Sequence, residues 1–268
     1  MSRRPPRLLL VASALAAAGA WPLSARADGA DDPDDPAVVP YRPSVSTPAA
    51  LPAPGWLEME AGGIQYRGPA RLRVEAVPLT FKLAFTPDWG VVAGLTPWLR
   101  VNDGVGAASR HGFGDTMLML KHRLAVDDAH AFGLELGTKL PTAASGLGSG
   151  HADVDVNGIY SADFAGAWHT DLNVNMTRLG GSSSLPVAWQ AGWAAAFSRS
   201  FGDQWGAVGE LSGTHQPGQE ATQQLLLAAS FNASHAAVFD AGLAHGLNRD
   251  TPHLQLFAGV TLRLGKLF

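Results

Sequence analysis

The sequence has no cysteine in 268 residues, so an exported chain of this composition carries no disulfide staples and is held by pairing and packing alone. It also lacks, outside its first residues, any run approaching the ~18 continuous apolar positions of a helical membrane span. If the mature chain crosses a membrane, it does so as a closed barrel, the other structure that satisfies its own backbone in lipid. Charge is scarce at 16%, and the formal net charge is −4; such a chain is a poor nucleic-acid binder, and no nucleic-acid partner is expected. The nine histidines (His111, His122, His130, His151, His169, His215, His235, His245 and His253) form no His-x-x-x-His or His-Glu pair at ligand spacing, so no metal and no cofactor is expected. His151, Asp153 and Asp155 share a face and are at most a weak cation site, a polar strand mouth being the plainer reading. There is no Gly-x-Ser-x-Gly elbow, and the adjacent pair Ser234-His235 falls in a short turn, where neighbours in sequence serve the turn rather than a triad. No catalytic residue is assigned, and an outer-membrane lipid hydrolase is the weakest of the readings kept.

What is present begins with Met1 to Ala27: Arg3, Arg4 and Arg7, the apolar run Leu8 to Ala20, then Ala25-Arg26-Ala27. This is the form of a cleaved secretory signal peptide. Its removal takes away four arginines and no acids, moving the net charge from −4 to −8. Residues 28–55 form an acidic, Pro-rich lead-in, with Asp28, Asp31, Asp32, Asp34 and Asp35 followed by Pro36, Pro40, Pro43, Pro48, Pro52 and Pro54. Helix and ladder both reject that density of proline, so the expectation is a solvated periplasmic tail; a plug or gate for a lumen is the alternative.

From Trp56 to Phe268 the hydropathy alternates with period two. Asp115 to Leu124 sets Met117, Met119, Lys121 and Arg123 against Leu118, Leu120, His122 and Leu124. Phe132 to Leu140 repeats the pattern after a tight turn, with Leu134 and Leu136 against Glu135 and Lys139. Twelve such segments are predicted: Trp56 to Tyr66, Arg73 to Thr86, Gly90 to Val101, Asp115 to Ala125, Ala131 to Leu140, Asp153 to Phe164, Trp168 to Arg178, Val187 to Ser200, Trp205 to Thr214, Thr222 to Asn232, Ala237 to His245 and His253 to Phe268. Linkers after even-numbered segments are tight, and those after most odd-numbered ones are long and rich in Gly, Ser and Pro. Short turns on one rim and long loops on the other is the layout of an outer-membrane barrel. Aromatics agree: Phe85, Trp89, Phe132, Phe164, Trp168, Phe201, Trp205 and Phe231 fall beside the short turns, while Tyr66, Trp98, Phe113, Trp189 and Phe257 are candidates for a thinner second girdle. The second segment fits less well, because Glu75 and Lys82 have opposite parity with Pro78 between them, and a bulge or edge irregularity is expected there.

The expected fold is therefore all-β, an antiparallel transmembrane up-and-down barrel of about twelve strands. Parity assigns to its lumen Glu58, Glu60, Lys82, Arg100, Lys121, Arg123, Glu135, Lys139, Asp155, Asn157, Asp163, Asp171, Asn173, Glu210, Asp240 and Arg263. Lys121 lies opposite Glu135 if their turn is tight. Mixed signs in a lumen either sort solutes or fill and close a small barrel.

Gly112-Phe-Gly-Asp-Thr-Met-Leu-Met-Leu-Lys-His-Arg-Leu124 followed by Gly137-Thr-Lys-Leu-Pro-Thr142 resembles the core hairpin of the outer-membrane phenol-degradation meta-pathway transporter family. Arg42-Pro43-Ser44 and Gly55-Trp-Leu-Glu-Met-Glu60 resemble its approach to the first strand. The resemblance implies a Gram-negative outer-membrane barrel that passes small molecules, hydrophobic or aromatic ones among them, with outer-membrane lipid and a small-molecule solute as its partners. The last residues resemble the signal read by the barrel-assembly machinery, with terminal Phe268 after Val260, Leu262 and Leu264; Lys266 departs from it by placing a charge two before the end, where it can snorkel. A passive channel is the leading reading, and a closed structural or surface-interaction barrel is the second.

Overall fold

The computed structural model describes residues 35–104, 108–181 and 187–268. The expected signal peptide at 1–27 and the first residues of the lead-in, 28–34, lie outside the described residues. Alternation resolves into β1 (Trp56–Arg67), β2 (Arg73–Ala84), β3 (Trp89–Asn102), β4 (Arg110–Gly112), β5 (Thr116–Ala125), β6 (His130–Leu140), β7 (Asp153–Phe164), β8 (Trp168–Leu179), β9 (Ala188–Phe201), β10 (Trp205–His215), β11 (Thr222–Ser234), β12 (Ala237–Gly246) and β13 (Leu254–Lys266). Sequence neighbours pair antiparallel, and β1 pairs β13 from Trp56↔Lys266 to Arg67↔Leu254, so the sheet closes and leaves no edge. β4 and β5 both lie along β3 and share one place in the wall. The barrel thus has twelve positions, and β4 is a piece of strand inside what the sequence offered as the loop 102–114.

Apart from β4 the strands run 10 to 14 residues, enough to cross a bilayer, which takes about 9 to 11 tilted residues. Among the described residues no helix is long and apolar enough to cross a membrane. The outer surface is a continuous apolar band: Leu118, Leu134, Leu136, Val156, Val174 and Leu256 all point out and are exposed. In water so large a patch would aggregate, whereas against lipid tails it costs nothing. At the short-turn rim Phe85, Trp89, Phe132, Phe164, Trp168, Phe201 and Trp205 are exposed, joined by Phe239; Trp205 packs on Phe231 with ring centroids 4.9 Å apart. The second girdle is thinner than the sequence suggested. Trp98, Phe113 and Trp189 face outward, but Tyr66 and Phe257 are buried in the interior, because each continues the inward face of its strand beside Ile64 and Gln255.

The irregularity expected near Pro78 is present, with a register shift between Val77 and Leu79. The extra residue, however, belongs to β3: Val77 pairs Trp98 and Leu79 pairs Leu95, so two steps along β2 span three along β3. This bulge at Thr96-Pro97 reverses the parity of β3. Val92 faces in below it, and Leu99 and Val101 face in above it.

Candidate functional site

The barrel interior is occupied. The lead-in folds back through the short-turn rim, crosses the lumen and returns to the same rim to begin β1. Residues 36–50 are buried except for Ala37 and the half-buried Val39, Val45 and Ala50. This corrects the expectation of a solvated tail. The physical reason is that the backbone donors of Val39, Tyr41, Val45, Ser46, Thr47 and Ala49 are satisfied by side chains of the wall instead of by water or a ladder.

The path can be followed donor by donor. At the rim, Asp35 bonds the Arg263 guanidinium and lies 3.3 Å from His235, and Pro36 O accepts from Arg263. The guanidinium holds the Asp35 carboxyl below its ordinary range. The Val38 N–H donates to His235 O at 2.8 Å, the Val39 N–H to both Glu58 oxygens at 3.1 and 3.2 Å, and the Tyr41 N–H to Glu60. Arg42 Nε and Nη2 donate to Asp240 Oδ2 and Oδ1 at 3.0 and 3.1 Å. The chain then crosses: the Val45 and Ser46 N–H groups donate to Glu210 at 3.0 and 2.8 Å, and the Thr47 N–H donates to Asn173 Oδ1 at 2.8 Å. On the descending side the Ala49 N–H donates to Ser161 Oγ at 2.8 Å, and the Gly55 N–H to Ala84 O at 2.8 Å.

Two buried lysines fix the centre. Lys82 Nζ lies 3.0 Å from Glu58 and 2.7 Å from Glu60 and donates to Val39 O. Lys121 Nζ donates to Glu135 at 2.9 Å and to Pro48 O at 2.5 Å. Lys121 and Glu135 are direct cross-strand partners. The Tyr41 ring sits between the two ammonium groups, 4.3 and 4.2 Å from its centroid, where the π face offsets part of the cost of burying two cations. Arg42 fits because Gly62 and Gly259, paired across β1 and β13, leave room for it; a β-carbon at either would collide with the guanidinium.

The residues assigned to the lumen from parity fall into four groups. Glu58, Glu60, Lys82, Lys121, Glu135, Asn157, Asp171, Asn173, Glu210 and Asp240 are buried around the loop. Arg263, Arg123 and Asp163 lie toward the short-turn rim, Asp163 Oδ1 accepting from His169 Nδ1 at 2.7 Å. Lys139 and Asp155 lie above the loop, Lys139 between Asp153 at 2.9 Å and Asp115 at 3.4 Å, and Asp155 accepting from Thr177 Oγ1 at 2.6 Å. Arg100 is the correction: its side chain is 48% exposed on the outer face, 3.5 Å from Glu75, because the β3 bulge turns it out. Parity alone missed Tyr41, Arg42, Ser46 and Thr47, which come from the lead-in.

Above the loop lies a cavity of about 300 Å³. One side is apolar, with Ile64, Tyr66, Leu79, Leu99, Met117 and Met119; the other is polar, with Asn175, Thr177, Gln190, Ser212 and Thr214; Tyr41, Pro43 and Val45 form part of its boundary. The three residues considered for a cation are otherwise engaged or displaced: Asp153 pairs with Lys139, Asp155 with Thr177, and His151 precedes the strand. Among the described residues no group of three or more His, Asp or Glu is placed to hold a metal. Ser234 Oγ accepts from the Ala236 N–H at 3.2 Å while His235 faces Asp35, so these neighbours do not engage each other.

Comparison with solved structures returns outer-membrane barrels. An outer membrane channel from Pseudomonas putida F1 superimposes with a TM-score of 0.64 at 12% identity, covering 81% of this chain and 98% of that one. The KdgM porin in complex with disordered oligogalacturonate gives 0.57 at 8% identity, covering 78% and 99%, and the NanC porin gives 0.57 at 8% identity, covering 78% and 100%. Comparison with curated protein sequences finds no match. The family model described as "Putative MetA-pathway of phenol degradation" matches residues 71–264, from just before β2 into the last strand. With its closed twelve-position wall and lipid-facing exterior, the chain is an outer-membrane barrel and belongs to that family.

Proposed function

We propose that the protein is a passive channel for small molecules, apolar or aromatic ones among them, whose lumen is constricted by its own lead-in. The observation that carries this reading is the cavity of about 300 Å³ inside a closed wall, apolar on one side and polar on the other. That volume is at the lower end of small-molecule sites. The interior charges from Glu58 to Arg263 then have a double role: they hold the loop, and they line what remains of the path. The reading includes export by residues 1–27 and recognition of the terminal strand, ending at Phe268, by the barrel-assembly machinery; export of the protein with residues 1–27 deleted, and of a Phe268 deletion, checks each.

The test is conductance in planar bilayers, with flux of a small aromatic into liposomes. The full mature chain is expected to give small steps, and Arg42→Ala, which loosens the loop, larger ones. The second reading, a closed structural barrel, is favoured by the dense ion pairs of the lower lumen. Absence of steps and of flux in both proteins would establish it and remove the channel.

A further inference from the structure

The outer surface carries a cluster of cations that neither the fold nor the lumen uses. Tyr66, Val74, Leu99 and Val101 point into the barrel and are buried, so the residues alternating with them, Arg67, Arg73 and Arg100, point outward, and all three are exposed. Arg67 and Arg73 are direct cross-strand partners, with β-carbons about 5 Å apart. Arg100 pairs with Glu75, one step down the same face from Arg73, and so lies diagonal to Arg73 at about 7–8 Å. Arg71, in the hairpin between β1 and β2, is a fourth exposed arginine beside them. Against these stands one carboxylate, Glu75, which lies 3.5 Å from Arg100 and accepts from Gln65 at 3.4 Å. Among the described residues the Arg67, Arg71 and Arg73 side chains have no ion pair and no hydrogen bond.

Like charges placed face to face across a ladder cost stability, and that cost is removed by an anion between them. Two opposed guanidinium groups present paired N–H donors from two sides, the arrangement that grips a phosphate. The height is right for a lipid phosphate. Trp98 of the upper girdle is outward and exposed, and aromatic belts sit at the headgroup level. Arg100 lies about 5 Å above Trp98, and the Arg67–Arg73 row about 10 Å above it, at ordinary strand rise and tilt. The cluster is also local. On the outward faces of the other strands at this height, Arg178 is the single arginine or lysine among the described residues.

Below the arginines the wall is hollowed. Gly63 faces outward with open space where a β-carbon would stand, and its partner across the ladder is the small, exposed Ala258. Exposed Val77 on β2 and Leu256 on β13 flank this slot, which runs along the barrel from the cation cluster toward the membrane interior. Phosphate donors above an apolar slot match an acylated, phosphorylated lipid. The cluster lies on the long-loop rim, the extracellular side of an outer-membrane barrel, where the surrounding leaflet is built of lipopolysaccharide, whose lipid A carries phosphates on a sugar core.

We propose that the outward face of β1, β2 and β3 above Trp98 is a binding site for lipid A, with a phosphate seated between Arg67 and Arg73, Arg100 closing on it from below and an acyl chain in the slot at Gly63. The site is independent of whether the lumen conducts. It gives the barrel a fixed lipid neighbour on one side of its wall.

The purified mature barrel in neutral detergent, with a chelator present so that no divalent ion bridges phosphates, is titrated with lipid A bearing both phosphates, and bound lipid is counted by native mass spectrometry. Arg67→Gln with Arg73→Gln is expected to weaken binding about tenfold or more, the loss of charge-assisted bonds on two sides of one phosphate. Arg178→Gln with Arg249→Gln, which removes the same charge elsewhere, is expected to change it less than about twofold. Dephosphorylated lipid A is expected to bind the wild type about tenfold more weakly, and phosphatidylglycerol at equal concentration to leave lipid A bound. Arg73→Gln alone should raise the unfolding temperature in lipid-free detergent, by relieving the opposed pair, and reduce the rise that lipid A produces. Equal binding by the wild type and the Arg67/Arg73 variant would overturn the site, as would equal binding of dephosphorylated lipid A, which decides the matter on the wild type even if the variant does not fold. Displacement by phosphatidylglycerol would overturn lipid A as the occupant and leave a patch for anionic lipid in general. Unchanged binding by Gly63→Trp would overturn the acyl slot.

Discussion

Arg42→Ala tests the occupied lumen most directly. The guanidinium and Asp240 form a two-bond pair with side chains only 5% and 3% exposed. Removing one partner of a buried pair costs about 3–5 kcal/mol, largely because the other charge is left behind. At about 1.4 kcal/mol per power of ten, the ratio of docked to undocked loop falls roughly a hundredfold to a few thousandfold. The strands do not depend on this pair, so the barrel stays folded. Proteolysis of the opened form tracks its population when opening is fast, and subtilisin cleavage within residues 36–50 should accelerate by a comparable factor, with conductance rising in parallel. Asp240→Ala in the same chain removes the stranded carboxylate and should recover much of the loss. Equal resistance of wild type and Arg42→Ala to the protease would refute the docking argument, as would a double variant no better than the single.

Further expectations follow from the same geometry. Tyr41→Phe loses one hydroxyl bond to Ala50 O, about 1 kcal/mol, and should change loop protection little, whereas Tyr41→Ala empties the space between two lysines, costs about 3–5 kcal/mol, and should open the loop to protease. The depressed carboxyl of Asp35 contributes to docking above its unfolded value of about 3.9, and the contribution is lost as pH falls through the lower folded value; cleavage near Pro36 should therefore rise only below about pH 4, and Asp35→Asn should show the loosened end at every pH. Val174→Arg, at a mid-strand side chain 69% exposed to lipid, should cost about 2–4 kcal/mol in a urea titration in vesicles and much less in detergent.

The wall was legible in the sequence because lipid and lumen impose opposite demands on alternate residues, and that contrast survives wherever the strand is regular. It fails where counting by two passes through an extra residue. Strict parity puts Arg100 in the lumen, but the count runs through Thr96 and Pro97, and the bulge there turns it outward beside Glu75. The lead-in departs from its expected exposure for a different reason. Its prolines rule out a ladder, and the inference from no ladder to exposure neglected that a wall can supply acceptors. A signal existed: Glu210 faces Ala196 and Leu226 across its two ladders, and Asp240 faces Ser230 and Gly259. Neither carboxylate has a cation directly opposite it on either ladder, although both point inward, and inward carboxylates without a partner require a donor from elsewhere in the chain.

The composition that suggested a solvated tail is the one suited to filling a lumen. Every buried backbone N–H needs an acceptor, and proline has none to satisfy; Pro36, Pro40, Pro43, Pro48 and Pro52 are all buried. The donors that remain at Val39, Tyr41, Val45, Ser46, Thr47 and Ala49 each meet a side chain of the wall. Preset φ angles also reduce the entropy lost when the loop orders, and its attachment at Trp56 makes docking an intramolecular event with a high effective concentration. The interior carboxylates and the proline-rich loop are therefore one device: the wall supplies the acceptors, and the loop brings few donors beyond those the acceptors can take.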